Sequence, residues 1–202
     1  VVSLAAATLA TGYFFNIFIL GAGFGNAVLP LVAEAMGAGD DTRARRVTRM
    51  AFWLSAAFAV LTFPLFWWSG AIMLAIGQTP EVAEASQAFL RIAMWGMFPW
   101  LATNALRCYL SAQLLTGVQL WVTLAAVGVN AVLNYGLIFG AYGLPELGIR
   151  GAALGSLVVQ TGTFLVLAIY AQRKLPQMHL FQRIWKSDPQ ALRAVFRLGW
   201  PI

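Results

Sequence analysis

The chain has 202 residues, of which 60% are hydrophobic and 10% are charged, and its mean hydropathy is +0.76. Because soluble domains carry about 25% charged residues, this composition excludes an ordinary soluble domain and indicates a membrane protein. The formal charge of +6 is therefore expected to come from basic cytoplasmic loops and not from a surface that binds nucleic acid.

Five segments are long and apolar enough to cross a bilayer as helices, since one crossing takes about 20 residues. In chain order they are Leu4–Val32, Ala51–Ile76, Ala88–Leu115, Val118–Gly140 and Gly151–Gln172. Pro64 and Pro99 lie near the middles of the second and third spans, where proline is expected to kink a helix. The sequence thus predicts an all-α, polytopic membrane helix bundle.

The distribution of charge predicts how these spans are oriented. Ten of the thirteen basic residues lie between the first two spans or after the fifth: Arg43, Arg45, Arg46, Arg49, Arg173, Lys174, Arg183, Lys186, Arg193 and Arg197. The loops on the opposite side carry Glu81, Glu84 and Glu146 against Arg150. By the positive-inside rule the basic side is cytoplasmic. We therefore expect a multi-pass protein of the inner (plasma) membrane that begins outside at Val1, an arrangement expected of a piece of a longer protein.

Residues 173–198 are predicted to form a cytoplasmic linker that contains an amphipathic helix. Asp188 and Pro189 supply N-cap and first-turn signals for that helix. Its apolar and basic faces would consist of Leu192, Val195 and Phe196, and of Arg193 and Arg197, respectively. This pattern favours a helix that lies in the membrane interface. Residues 199–202, with Gly199 and Pro201, are then expected to begin another helix.

The predicted spans contain no acidic residue, although the chain has seven. Acid–base or metal-dependent chemistry inside the membrane would need a cluster of ionisable side chains. The single cysteine, Cys108, also excludes a zinc site built from several thiolates. We therefore predict neither an enzyme nor a metal site, and no cofactor.

Neutral polar side chains are instead arranged by helix face in the last two spans. Asn130 and Asn134 share one face of the fourth span, and Ser156, Gln160 and Thr163 form a stripe on the fifth. Two interpretations are open. These side chains are either interhelical hydrogen-bonding groups or the lining of a hydrated cavity that binds a solute or ion through carboxamide and hydroxyl oxygens.

Glycine and arginine add two further expectations. Gly151 and Gly155 form a small-xxx-small pair that lets helices approach closely, and the "GAGFG" run at Gly21–Gly25 is expected to serve helix packing as well. Arg107 lies towards the cytoplasmic end of the third span, where it either snorkels to the headgroups or contributes to a polar lining.

Four stretches carry a family resemblance: "GAGFGNAVLPLVAEAMGAGDDTRARRVTR", "ALRCYLSAQ", "VLNYGLIFGAYGLPELGIRGAALGSL" and "RLGWPI". Together they resemble the multidrug and toxic compound extrusion (MATE) family of the NorM type, collinearly over essentially the whole chain. The resemblance implies two six-helix lobes around a central cavity. Residues 1–172 would supply helices 2–6 of the amino-terminal lobe, 173–198 the cytoplasmic linker, and 199–202 the start of the seventh helix.

The resemblance also implies a function and its site residues. The whole protein would be a Na⁺- or H⁺-coupled multidrug antiporter that exports organic cations or xenobiotics by alternating access. Its partners would be the drug, the coupling ion, the lipid bilayer, and the first helix and carboxy-terminal lobe that this chain lacks; no nucleic acid is expected. Asn130 and Asn134 match a polar pair of the family's fifth helix, where some members carry aspartate at the second position. Ser156 matches a frequent threonine of the sixth helix, and Gln160 follows it on the same stripe.

Two alternatives to the antiporter stay open. One is a lipid-linked saccharide flippase of the same superfamily, whose pyrophosphate cargo would require several cationic side chains in the cavity. The other is an inactive, truncated membrane fragment.

Overall fold

The computed structural model of the chain describes residues 2–143, 145–176, 179–180 and 188–200. Within these residues the secondary structure is helical, which confirms the all-α prediction. The α-helices are α1 (Val2–Asn26), α2 (Val28–Gly37), α3 (Asp41–Trp67), α4 (Ser69–Ala75), α5 (Pro80–Ala93), α6 (Met97–Ala112), α7 (Gly117–Phe139), α8 (Ile149–Lys174) and α9 (Pro189–Gly199). Short 3₁₀ turns occur at Met94–Gly96 and Ala141–Gly143.

Four of the five predicted spans correspond to helical stretches long and apolar enough to cross a membrane: Leu4–Gly37, Asp41–Trp67, Gly117–Phe139 and Ile149–Lys174. The first of these stretches comprises α1 and α2 with a turn at Ala27 between them. The predicted start of the second span at Ala51 is wrong, because the helix begins ten residues earlier in the basic segment. The side chain of Asp40 accepts a hydrogen bond of 2.8 Å from the backbone N–H of Arg43 and so caps the helix there.

The third predicted span, Ala88–Leu115, is not a single α-helix. It consists of α5 and α6, separated by the 3₁₀ turn at Met94–Gly96. Pro99 has no N–H to donate to the carbonyl of Trp95, and the backbone tightens here, with the N–H of Met97 bonded to the carbonyl of Met94. The span also begins earlier than predicted, at Pro80, which occupies the first turn of α5.

The buried apolar side chains form two clusters, one above the other along the bundle. The first cluster lies near the basic segments, joins α2, α3, α6, α8 and α9, and includes Val32, Met50, Leu106, Tyr109, Leu110, Leu167 and Val195. The second cluster joins α1, α3, α5 and α6 nearer the opposite end and includes Phe14, Phe66, Leu90, Met94, Met97 and Leu101. Phe58 and Phe98 pack against both clusters, so the two form one continuous interior.

α7 lies at the edge of the bundle and packs mainly on α8. Gly136 is its only fully buried residue, and large apolar side chains such as Trp121 and Phe139 are exposed where lipid would surround them. The contact with α8 depends on the predicted glycine pair. A Cβ atom added to Gly151 would collide with the backbone carbonyl of Leu137, and one added to Gly155 would collide with Asn134.

α9 is present at the predicted position and has the predicted cap, since the carboxylate of Asp188 accepts hydrogen bonds from the N–H groups of Gln190 (3.1 Å) and Ala191 (3.3 Å). Its apolar face, however, packs on protein and not on lipid alone. Val195 is fully buried, and the Phe196 ring stacks on Phe24 of α1 with centroids 5.9 Å apart.

The two ends of α9 are held by different contacts. At its start, Asp188 forms an ion pair of 3.3 Å with Arg46 of α3. At its end, Gly199 lies against the backbone of Gly23 in α1. The assignment of 199–202 to a further helix stays a prediction: Gly199 is the last residue of α9, and residues 201–202 lie outside the described part of the chain, as do Val1 and linker residues 177–178 and 181–187.

The glycine contact predicts the effect of a single methyl group on stability. Gly151→Ala should lower the melting temperature of the purified chain in neutral detergent, because the new Cβ meets a backbone carbonyl that cannot rotate away, and overpacking of this kind costs about 1–3 kcal/mol. Gly162→Ala is the matched control on the same helix, where an added Cβ has no neighbour within 4 Å. It should leave the melting temperature unchanged or raise it, because alanine is the better helix former. Equal shifts for the two variants would contradict the proposed packing.

Candidate functional site

A small hydrogen-bond network ties the last turns of α6 to the first turns of α7. The Nη2 atom of Arg107 donates to the hydroxyl of Thr123 at 3.1 Å. The side-chain amide of Gln119 donates to the carbonyl of Arg107 and to the hydroxyl of Ser111, each at 3.1 Å. Beyond this network α7 packs on α8, and its direct contact with α6 is slight.

A cavity of about 600 Å³ lies between α6 and α7 and is bounded by α1 and α8. Its lining combines aromatic rings with neutral polar groups and one guanidinium: Phe15, Phe18 and Trp100; Thr103, Asn104, Thr123, Asn130, Gln160 and Thr163; and Arg107. The cavity therefore offers both apolar surface and hydrogen-bonding groups within membrane-spanning segments.

The two predicted asparagines lie together, one turn apart on α7. The Nδ2 atom of Asn134 donates to the Oδ1 atom of Asn130 at 2.8 Å. Asn130 lines the cavity, whereas Asn134 does not and lies against Gly155 of α8. The Oδ1 atom of Asn134 is buried and has no donor among the described residues. An unfilled buried acceptor is costly, and this oxygen lies against Gly155 and outside the lining of the cavity.

The polar stripe predicted on α8 is brought into the site only in part. Gln160 and Thr163 line the cavity beside Asn130. Ser156 lines a separate, smaller cavity of about 100 Å³ on the side of α1 and α5. The rings of Phe15 and Trp100 line both cavities and stand between them.

Several cavity residues were not singled out from the sequence. Asn104 of α6 donates from Nδ2 to the carbonyl of Ala22 (3.2 Å) and to Oδ1 of Asn26 (3.0 Å), which ties α6 to α1. Thr103, Asn104 and Arg107 form a polar face on α6 that helical spacing could have revealed. The aromatic residues gave no such signal, because aromatic side chains on a membrane span point equally well to lipid.

No carboxylate lines the cavity, and all seven acidic residues belong to the described part of the chain. Glu34, Asp40, Asp41 and Asp188 lie near the ends that carry the basic segments, and Glu81, Glu84 and Glu146 near the other ends. The described residues also contain no group of three histidine, cysteine or acidic side chains that could hold a metal ion.

Comparison with known proteins identifies the family. The MatE family model matches residues 1–136. The chain is 47% identical to a probable multidrug resistance protein NorM of Rhizobium meliloti (strain 1021) and 40% identical to one of Agrobacterium fabrum. Each alignment covers 98% of this chain but 43% of the relative, so the chain spans less than half the length of these relatives.

Solved structures agree with the fold. The chain matches a multidrug resistance MATE family transporter of the MOP superfamily in its outward-facing conformation with a TM-score of 0.84 at 23% identity, covering 98% of this chain and 44% of that one. The inward-facing conformation gives a TM-score of 0.84 at 22% identity, with coverage of 99% and 45%. The helical lobe, its cavity and these matches lead to one conclusion: the chain belongs to the MatE family of transporters.

Proposed function

We propose that the chain forms part of a cation-coupled multidrug efflux antiporter, and that the cavity between α1, α6, α7 and α8 receives its cargo. The cavity itself carries the proposal. Its volume of about 600 Å³ falls within the range of about 300–1,000 Å³ that suits drug-sized molecules. Aromatic walls with a few convergent polar groups fit cargo of varied structure, such as organic cations and other xenobiotics.

The asparagine pair is proposed to take part in ion coupling or cargo binding. Asn134 offers a buried oxygen without a donor, and Asn130 offers the cavity-facing partner of the same hydrogen bond. Oxygen atoms of this kind suit hard cations such as Na⁺. Coupling to H⁺ would need a carboxylate from a part of the protein beyond this chain. Gln160 would extend the same polar surface, and Ser156 would act from the smaller cavity.

Alternating access is proposed to proceed with this lobe as a rigid unit. The fold matches the inward-facing and outward-facing structures equally, with TM-scores of 0.84. A lobe that keeps its fold while access changes must move against other parts of the protein. We propose that these parts are a preceding helix and a second six-helix lobe, and that the whole is a transporter of the inner (plasma) membrane and not an enzyme.

A lipid-linked saccharide flippase fits this cavity less well. A pyrophosphate group carries several negative charges and would need several cationic partners. Among the described lining residues Arg107 is the single cation.

The proposed orientation predicts which sites a membrane-impermeant thiol reagent reaches in intact cells. Single cysteines would be placed at the exposed positions Asp41 and Glu84 in a Cys108→Ser background. The cysteine at 84 should react, because the acidic ends of the helices face outside. The cysteine at 41 should react only after the cells are opened. The reverse pattern would invert the proposed topology.

The asparagine pair predicts a loss of transport without a loss of fold. The bond between Asn134 and Asn130 lies within α7, and even interhelical hydrogen bonds in membranes average only about 0.6 kcal/mol and reach about 1.7 kcal/mol. Asn130→Ala and Asn134→Ala in the full-length protein should therefore leave membrane insertion and melting temperature near normal, while dye efflux falls severely. Asn16→Ala is the control, because Asn16 bonds to the Gly12 carbonyl within its own helix and does not line the cavity.

Asn134→Asp tests ion coupling in the same assay. It adds an ionisable group of nearly the same size beside Asn130, so the pH or Na⁺ dependence of efflux should change more than the protein yield. Normal efflux with unchanged ion dependence in all three variants, or losses that merely follow the amount of folded protein, would refute the proposed role.

A further inference from the structure

The last turn of α9 is held on α1 by close apolar packing. The Phe196 ring stacks on Phe24, and a Cβ atom added to Gly199 would lie 2.8 Å from the carbonyl oxygen of Gly23. The fully buried residues of α9, Val195 and Gly199, both belong to its second half. Contacts of this kind do not depend on charge.

The first turn of α9 is held on α3 mainly by charge. The Oδ1 atom of Asp188 caps the helix at the N–H groups of Gln190 and Ala191, and its Oδ2 atom lies 3.3 Å from the Nη1 atom of Arg46. The side chain of Arg46 is 52% exposed, so solvent and salt screen this ion pair. The backbone N–H of Asp188 also bonds to the sulfur of Met50, which is a weak acceptor. The contact with α3 is therefore weak and sensitive to salt.

Packing around the first half of α9 is also less complete. A cavity of about 450 Å³ lies between the starts of α3 and α9, and its lining includes Val47, Asp188, Ala191 and Ala194. Leu192 packs on the first apolar cluster but is only half-buried, as are both alanines. Moving this half of the helix away from α3 would therefore expose little apolar surface.

We propose that α9 is a salt-sensitive flap. Its start opens away from α3 when the ion pair between Asp188 and Arg46 breaks, and its end remains on α1 as the pivot. The cap lies within α9, so the flap opens as an intact helix. In the closed state, which is that of the structure, α9 is joined to both α1 and α3. In the open state it follows α1 alone. This movement is independent of the proposed cargo site and ion coupling.

A helix fixed equally along its length is the alternative to a flap. Such a helix would either stay closed or leave the bundle as a whole. The two cases differ in which side chains of α9 become accessible: a flap exposes its first half alone, whereas a departing helix exposes both halves together.

The reactivity of single cysteines measures this difference. In a Cys108→Ser background, Leu192→Cys reports on the first half of α9 and Val195→Cys on the second. Leu198→Cys, at a position that is 46% exposed, gives the reactivity of an accessible thiol on the same helix. The purified 202-residue chain in neutral dodecyl maltoside micelles would be labelled with N-ethylmaleimide, and the extent of labelling followed by intact mass.

Salt should open the first half alone. Raising NaCl from about 0.05 M to about 0.5 M should speed labelling at position 192, relative to position 198, about twofold to fivefold, because it screens an exposed ion pair of this strength. The relative rate at position 195 should stay the same. Leu90→Cys lies in the second apolar cluster, where residue 90 is fully buried, and its slow labelling should not respond to salt.

The variants assign the salt dependence to one ion pair. Asp188→Asn removes the charge but keeps the cap, because asparagine caps helices about as well as aspartate. At low salt it should speed labelling at position 192 about fivefold and abolish the salt dependence. Arg46→Gln should act in the same direction but less strongly, because Asp188 also interacts electrostatically with the buried Arg49. Arg43→Gln is the matched control: it breaks the ion pair of another exposed arginine of α3, whose partner Glu34 lies in α2. It should leave labelling as in the wild type.

The proposal is overturned if labelling at position 192 in the otherwise unchanged chain does not respond to salt, or if positions 192 and 195 respond equally. It is also overturned if Asp188→Asn retains the salt dependence, or if position 90 responds in parallel, which would indicate loosening of the whole bundle. Transport is not measured, so failure of efflux would refute the proposed function and leave this result standing.

Discussion

The contact between α7 and α8 determines whether the site exists at all. Lipid chains are as apolar as leucine, so no hydrophobic force presses α7 onto the bundle. The helix is held instead by close backbone approach at Gly151 and Gly155. Because Gly155 has no side chain, there is also room for Asn134, whose side chain occupies the space that a Cβ atom on residue 155 would take. From there Asn134 donates a hydrogen bond to Asn130. One pair of glycines thereby fixes both the position of the helix and the orientation of its carboxamides.

A second set of glycines plays a comparable part on α1. Gly21 faces the Phe58 ring of α3, and Gly25 faces Asn104 of α6. The backbone of Gly23, between them, lies against Gly199 of α9. Successive residues of a helix point in different directions, so one short run lets three elements approach α1 from three sides. The polar bond from Asn104 to the Ala22 carbonyl uses the same closeness.

The sequence predicted helices best where apolar composition changes abruptly at their ends. The bounds of α7 and α8 were predicted to within two residues for this reason. The first turns of α3 were missed because they are strongly basic, although Asp40 is a recognisable cap. The break before α6 depends on how Pro99 is accommodated. The sequence predicted a kink at this proline but not that it would take the form of a 3₁₀ turn.

The site was predicted less completely, for a physical reason. Spacing on one helix shows that Ser156 and Gln160 share a face, but not which rings from other helices lie against that face. Phe15 and Trp100 come from α1 and α6 and divide that face between two cavities. The role of Asn104 likewise depends on the rotation of α6 relative to its neighbours. Such facts belong to the packing of several helices and cannot be read from the periodicity of one.

Contacts at both of its ends fix α9 to the rest of the bundle. An ion pair holds one end, stacked aromatic rings hold the other, and Phe196 extends the stack to Trp200 with centroids 5.4 Å apart. Residues 189–200 are therefore expected to move with α1 and α3 as one rigid unit. A change in the tilt of α1 or α3 would therefore change the position of α9 with it, because each end of α9 is bonded to one of these two helices.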